Sequence, residues 1–151
     1  MDLSFPERSA QVRREAARLC RQLGWAPLHE VPLPNGRRAD ILALRPDGGI
    51  VCVEVKSGVL DFMTDSKWPE YRDYADAFYF AVDADFPQDL LPKAVGLIVT
   101  AEREAAIIRE SPAHQMAPGR RRALLQRFAS LAVCRLENLL DPMDGFELAC
   151  E

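Results

Sequence analysis

Two apolar segments joined by a tight turn constrain the fold of this chain more than any other feature. Residues 38–44 and 50–56 are rich in aliphatic side chains, and valine dominates the second segment. Pro46-Asp47-Gly48-Gly49 between them is a typical turn sequence. The pattern predicts a β-hairpin whose second strand is short and apolar enough to lie at the centre of a sheet.

Three charged residues, Asp40, Glu54 and Lys56, lie inside this apolar hairpin. Burying a carboxylate or an ammonium group is costly unless the group is paired or neutralised by an ion. Because side chains alternate across a strand, Glu54 and Lys56 project to the same face. Pairing about the turn brings Asp40 near the end of the second strand. Two carboxylates and one amine therefore converge at one end of the predicted sheet.

This combination of groups suits the hydrolysis of a phosphodiester. Neighbouring carboxylates repel each other, and a divalent cation with hard oxygen ligands, Mg²⁺ or Mn²⁺, relieves the repulsion. We expect Asp40 and Glu54 to hold the ion, with the Val55 carbonyl as a third oxygen. A bound cation lowers the pKa of its water and shields the phosphodiester. Lys56 would orient or deprotonate that water, or stabilise the developing charge.

The remainder of the chain predicts helices and strands around the hairpin. Apolar residues at helical spacing predict helices over residues 9–23, 65–73 and 119–137. Further strands are predicted over residues 78–82, 95–99 and 105–109, with a turn at Asn35-Gly36 and irregular structure over 60–64. This order indicates one α/β domain over residues 1–151, with a mixed sheet and helices on its faces.

Composition narrows the function classes. The 151 residues are 48% hydrophobic and 28% charged, which is ordinary for a globular domain. We find no apolar run of membrane-spanning length and no secretory signal, and we expect a cytoplasmic protein without membrane contact. A net charge of −4 disfavours a strongly basic nucleic-acid binder, although clustered arginines predict a local positive surface. Four scattered cysteines predict neither a zinc site nor a disulfide framework.

The charged residues resemble the motif of the PD-(D/E)XK nuclease superfamily, an acid on one strand followed by (D/E)-x-K on the next. Asp40 matches the first acid and Glu54-Val55-Lys56 matches E-x-K, while Ala39 stands where the superfamily has proline. The resemblance implies a restriction-endonuclease-like fold, a central mixed β-sheet flanked by helices in the order α-β-β-β-α-β. It also implies a further metal ligand on the preceding helix, Glu15, and a polar helix residue that contacts phosphate or the nucleophilic water, Lys67.

The segment after the E-x-K motif is similar to the MmcB-like family, which is associated with DNA repair in bacteria. The residues that carry this similarity are Val55-Lys56-Ser57-Gly58, Asp61-Phe62, Asp65, Lys67-Trp68, Tyr71 and the strand that follows Asp76. The similarity implies a Mg²⁺- or Mn²⁺-dependent DNA phosphodiesterase acting in DNA repair, with DNA and other repair proteins as partners. A chain of this length would need a homodimer to cut both strands, or would act on single strands, ends or branches.

Each candidate residue also has a purely structural interpretation. Asp40 and Glu54 would form salt bridges with nearby arginines, and Lys56 would simply neutralise Glu54. Glu15 would pair with Arg18 on the surface of its helix as readily as it would bind a metal.

The same holds for residues around the hairpin and for the function as a whole. Trp68 and Tyr71 are expected to pack rather than to stack on bases, and Glu30 is expected at the surface. The alternatives to a nuclease are a non-cleaving DNA-binding module that keeps the nuclease fold and a protein adaptor within a repair complex.

Overall fold

The computed structural model describes residues 3–142, which form a six-stranded sheet with helices on both faces. The strands lie in the sheet in chain order, from β1 at one edge to β6 at the other. The elements are α1 (Phe5–Gln22), β1 (Ala26–Pro32), β2 (Arg38–Leu44), β3 (Ile50–Val55), α2 (Val59–Thr64), a 3-10 helix (Trp68–Tyr74), β4 (Ala77–Asp83), a short 3-10 helix (Gln88–Leu90), β5 (Gly96–Ala101), β6 (Glu104–Arg109) and α3 (Pro118–Leu140).

The sheet is mixed. Strands β1, β2 and β3 pair antiparallel, β3, β4 and β5 pair parallel, and β6 returns antiparallel to β5. Every residue of β3 is buried, as expected for a central strand. The predicted α/β class with a mixed sheet flanked by helices is confirmed, and so is the element order α-β-β-β-α-β.

Helix α1 covers one face of the sheet, and α3 and the longer 3-10 helix cover the other. Val12 and Ala16 of α1 pack against Val51 and Val53 of β3. On the opposite face, Leu124 and Phe128 of α3 belong to the same apolar cluster as the aromatic side chains of β4. Among the described residues, no helix is both long and apolar enough to cross a membrane.

Helix α1 begins four residues earlier than the predicted start at Ser9. The Ser4 N–H donates to Glu7 Oε2 at 2.8 Å, so these two residues form a capping box that begins the helix. Pro6 is compatible with this position because the first turn needs no backbone N–H from it. The helix ends as predicted before Gly24, whose φ of +78° suits a glycine after a helix.

The residues alone did not predict strand β1, because its prolines favoured a turn, although the resemblance implied three strands between the first two helices. Its place at the edge of the sheet resolves the conflict, since an edge strand tolerates residues that cannot donate to the ladder. The prediction for residues 60–73 was also wrong in detail. Residues 59–64 are helical, Asp65 ends that helix, and residues 68–74 form a 3-10 helix instead of an α-helix, with Pro69 in its first turn.

The cysteines differ from one another. Cys20 and Cys52 are free and buried, where they pack as small apolar side chains. Cys134 is disulfide-bonded, and one such bond is not the disulfide framework that the sequence argues against. Cys150 and the other residues beyond 142 lie outside the described part of the chain.

Candidate active site

The β2–β3 hairpin opens at the end that carries the acids. The ladder stops at the pair Ile41 and Val53, and one step further the same register sets Asp40 opposite Glu54. There the Asp40 N–H donates to Glu54 Oε1 at 3.0 Å, and the Val55 N–H donates to Asp40 Oδ2 at 2.8 Å. The two carboxylates thus replace main-chain acceptors, and each has a second oxygen to offer a ligand.

The two carboxyl groups are in an environment that disfavours their negative charge. Burial raises the pKa of Glu54 well above its usual value, and the charge of Asp40 raises it further. Burial also raises the pKa of Asp40, although the hydrogen bond from Val55 opposes this effect. Since Glu54 is only 5% exposed, water screens the pair poorly. A cation between the carboxylates would relieve both the desolvation and the repulsion.

The donor set fits a small hard cation. Two carboxylates on adjacent strands provide oxygen ligands of the kind that Mg²⁺ and Mn²⁺ prefer. Within residues 3–142 there is no group of three or more His, Cys, Asp or Glu side chains that could hold a metal ion. The remaining ligands would therefore be a carbonyl oxygen, water or a phosphate oxygen of the substrate. The Val55 carbonyl is the predicted carbonyl ligand.

The structure does not bring Glu15 into a cluster with the two hairpin acids. Glu15 is buried on α1, and both of its carboxylate oxygens accept hydrogen bonds from Arg18 Nη1 at 3.2 Å. This is the Glu15–Arg18 salt bridge that the sequence offered as the alternative to metal binding. A role for Glu15 as a further metal ligand stays a prediction.

Lys56 forms a buried ion pair with acids from the segment that follows it, not with Glu54. Its Nζ lies 2.6 Å from Asp65 Oδ2 and 3.8 Å from Asp61 Oδ1, and the lysine is 6% exposed. Asp61 also accepts from the Ser57 N–H at 3.3 Å. Asp61 and Asp65 therefore hold the lysine in place on the same face of β3 as Glu54.

Lys67 lies at the edge of this arrangement. Its N–H donates to Asp65 Oδ1 at 2.8 Å, and its side chain is exposed. Trp68 stacks on Phe78 in the core, and the Tyr71 hydroxyl donates to a backbone carbonyl at 3.1 Å. The prediction that Trp68 and Tyr71 pack in the protein is confirmed. Arg37 likewise pairs with a surface glutamate and not with the hairpin acids.

Two residues near Asp40 had no assigned place at the site in the sequence. Arg13 and Glu30 line a cleft of about 320 Å³ together with Asp40 and Val55. Arg13 Nη1 lies 3.0 Å from Glu30 Oε1. The register of β1 and β2 sets Glu30 opposite Asp40, and Glu30 has a φ of +50°, which is uncommon for a residue other than glycine. Recognising β1 as a strand would have placed Glu30 beside Asp40, whereas Arg13 on α1 is connected to the site only through its salt bridge with Glu30.

The fold and the site together define a mixed α/β protein, in which an acid on one strand and an E-x-K motif on the next meet at the open end of a hairpin. The particular family follows from the sequence. The chain belongs to the MmcB-like family of DNA repair proteins, whose family model matches residues 1–143. No curated protein matches the chain significantly.

Solved structures give two further similarities. A protein of unknown function from Silicibacter pomeroyi is 38% identical, with a TM-score of 0.85 and 99% of each chain covered. The crystal structure of a repair endonuclease from Pyrococcus abyssi is 14% identical, with a TM-score of 0.30, and the match covers 75% of this chain and 42% of the other.

Proposed function

We propose that this chain is a metal-dependent DNA phosphodiesterase that acts in DNA repair. The observation that carries the proposal is the opposed pair Asp40 and Glu54 at the open end of the hairpin. Strand pairs ordinarily continue with backbone hydrogen bonds, whereas here two acids with raised pKa values take those bonds. Groups that cost stability in this way are concentrated at functional sites. Membership in a family of DNA repair proteins supports DNA as the substrate.

Each residue of the site has a role in this proposal. Asp40 and Glu54 would hold Mg²⁺ or Mn²⁺, with the Val55 carbonyl as a third oxygen. When bound, the cation would lower the pKa of a water molecule and shield the negative phosphodiester. The Lys56 ammonium, fixed by its buried ion pair, would stabilise the charge that develops on the phosphate. Lys67 would contact a neighbouring phosphate from the exposed rim.

A cleavage assay with labelled single-stranded, duplex, flap and branched DNA tests the proposal in the presence of Mg²⁺ or Mn²⁺. Asp40→Asn keeps a side-chain oxygen for the Val55 N–H and removes the charge, so we expect a folded protein with activity reduced at least about 100-fold. Lys56→Met should reduce activity by roughly 10²- to 10⁴-fold. Glu102→Gln removes one exposed acid far from the hairpin and serves as the control.

The outcomes separate the alternatives. Full activity in both Asp40→Asn and Lys56→Met, with circular dichroism showing folded proteins, would refute the assignment of the active site. DNA binding by a wild-type protein that cleaves none of the four substrates would favour the non-cleaving DNA-binding module. A wild-type protein that binds neither metal nor DNA would favour the adaptor.

A further inference from the structure

A basic groove of about 860 Å³ lies between the outer face of α1 and the beginning of β1. Four arginines of α1 line it on one side, and Trp25, Pro27 and His29 contribute to the other. The arginines are Arg13, Arg14, Arg18 and Arg21. Such a concentration of guanidinium groups is unexpected in a chain whose net charge is −4. The positive charge of the groove is therefore complementary to an anionic ligand.

The arginines are placed along the groove by the helical repeat. Arg14, Arg18 and Arg21 are separated by four and three residues, so they lie on one face of α1 and span roughly 10 Å of its axis at about 1.5 Å per residue. Core packing uses the opposite face, through residues such as Val12 and Ala16. The three guanidinium groups therefore form a row along the outer face of the helix.

Among the residues that the structure describes, two of these arginines pair with acids and two do not. Arg18 forms a salt bridge with Glu15, and Arg13 forms one with Glu30. Arg14 and Arg21 are exposed, and neither has a salt-bridge partner among residues 3–142. Free guanidinium groups of this kind bind phosphate oxygens with planar, bidentate geometry. The groove thus offers charge that the fold itself does not use.

The groove adjoins the cleft beside Asp40. Ala10 and Arg13 line both the groove and the cleft that holds Asp40 and Val55. A chain lying along the row of arginines would therefore reach the open end of the hairpin. Trp25 is fixed by Tyr79 at a centroid distance of 6.2 Å and by Arg45 at 5.1 Å from its ring centroid, which makes it a rigid groove wall against which a base can pack.

We propose that this groove binds the sugar–phosphate backbone of single-stranded DNA and leads it to the cleft at Asp40. This inference rests on the proposed function, which assigns cleavage of a DNA phosphodiester to the site at the end of the groove. A groove between an α-helix and a β-strand receives one DNA strand, whereas the convex surface of a DNA duplex would contact only the rim of the groove. A row of arginines beside ring side chains is the combination that binds single strands with little sequence preference.

Binding of a fluorescein-labelled 15-mer of deoxythymidine, measured by anisotropy in EDTA, tests the groove without cleavage. The groove variant combines Arg14→Gln and Arg21→Gln. The control combines Arg122→Gln and Arg127→Gln on α3, which lies on the other face of the sheet and loses the same charge. Thermal unfolding should show all three proteins folded.

Salt dependence gives the expected magnitude. Two phosphate contacts, from Arg14 and Arg21, give a logarithmic salt slope of about −1.4, so wild-type affinity should fall about sevenfold between 50 and 200 mM salt. With neither contact left, the groove variant should bind more weakly and show almost no salt dependence over the same range. The control should behave as the wild type. Equal salt slopes in all three proteins, or no wild-type binding, would overturn the proposal.

Competition separates single strands from other anions. The unlabelled 15-mer should displace the probe at a concentration at least tenfold lower than a hairpin duplex or poly-glutamate of equal charge. Equal competition by the duplex or by poly-glutamate would refute the single-strand assignment, and the second result would favour an acidic protein partner.

Cleavage kinetics keep this inference distinct from the proposed function. The groove variant should raise KM for a single-stranded substrate and leave kcat unchanged. Selective loss of binding in the groove variant, without cleavage by any protein, would support the groove and reject the nuclease. Cleavage and binding both unaffected by the groove variant would support the nuclease and reject the groove.

Discussion

Replacing Glu54 by glutamine should stabilise the metal-free protein while abolishing its stabilisation by metal. The amide keeps an oxygen in the position of Glu54 Oε1, so the 3.0 Å hydrogen bond from the Asp40 N–H is retained. What the substitution removes is the buried negative charge that faces Asp40. A residue whose charge is needed for binding and not for folding should behave in this way, whereas a structural carboxylate should not.

The sign and size of the effect follow from the pKa of Glu54, which burial and the charge of Asp40 raise well above the usual 4.5. A group with a raised pKa binds its proton more tightly in the folded state. Its stabilising contribution is complete below pH 4.5 and is lost as the pH rises through the folded-state pKa. Every unit by which the pKa is raised removes about 1.4 kcal/mol of the free energy of unfolding at high pH. For a chain of this length, that corresponds to roughly 3–6 °C in Tm.

Thermal unfolding from pH 4.5 to 8.5 in EDTA measures this effect. Wild type should lose stability as the pH rises, and Glu54→Gln should show a shallower dependence and a higher Tm at pH 8. Adding Mn²⁺ at about 100 times its Kd should stabilise wild type by about 2.7 kcal/mol and leave the variant nearly unchanged, so the order of the two proteins reverses. Glu102→Gln is the control for loss of one negative charge. A lower Tm for Glu54→Gln at pH 8 in EDTA would show that the reasoning is wrong.

Three further changes test other parts of the structure. Asp65→Asn weakens the buried ion pair of Lys56 and should cost about 1–3 kcal/mol in urea denaturation, with little dependence on salt because a buried pair is poorly screened. Gly96→Ala would place a methyl group inside the van der Waals surface of the Tyr79 ring and should cost about 1–3 kcal/mol, read from the urea midpoint. The hydrogen bond with its arginine partner lowers the pKa of Asp76. Its contribution to the free energy of unfolding should therefore be complete above pH 3.8 and lost as the pH falls through the folded-state pKa. Asp76→Asn should make the Tm less dependent on pH in this acid range.

The hairpin and its charged residues could be predicted because their determinants are local. The turn residues, the alternation of side chains and the apolar runs set the strand over residues 38–44 with the bounds that the structure has. Strand alternation also placed Glu54 and Lys56 on one face. The meeting of Asp40 with Glu54 then required only pairing about the turn.

The remaining features depend on contacts that a sequence pattern does not record. Strand β1 carries two prolines, and only its place at the edge of the sheet makes them compatible with a strand. The partner of Lys56 is chosen by the path of the chain after Ser57, which returns Asp61 and Asp65 to the lysine. Glu15 was placed by the spacing of its helix, but spacing could not decide between Arg18 and a metal.

The connection between β3 and β4 has both a structural role in the sheet and a role in the candidate site. Parallel neighbours cannot be joined by a tight turn, so this crossover must exist for the centre of the sheet to form. The same crossover carries Asp61, Asp65 and Lys67. Shortening this connection would remove the sheet and the chemistry together, so insertions and deletions among relatives should be rarer here than in the turn between β5 and β6.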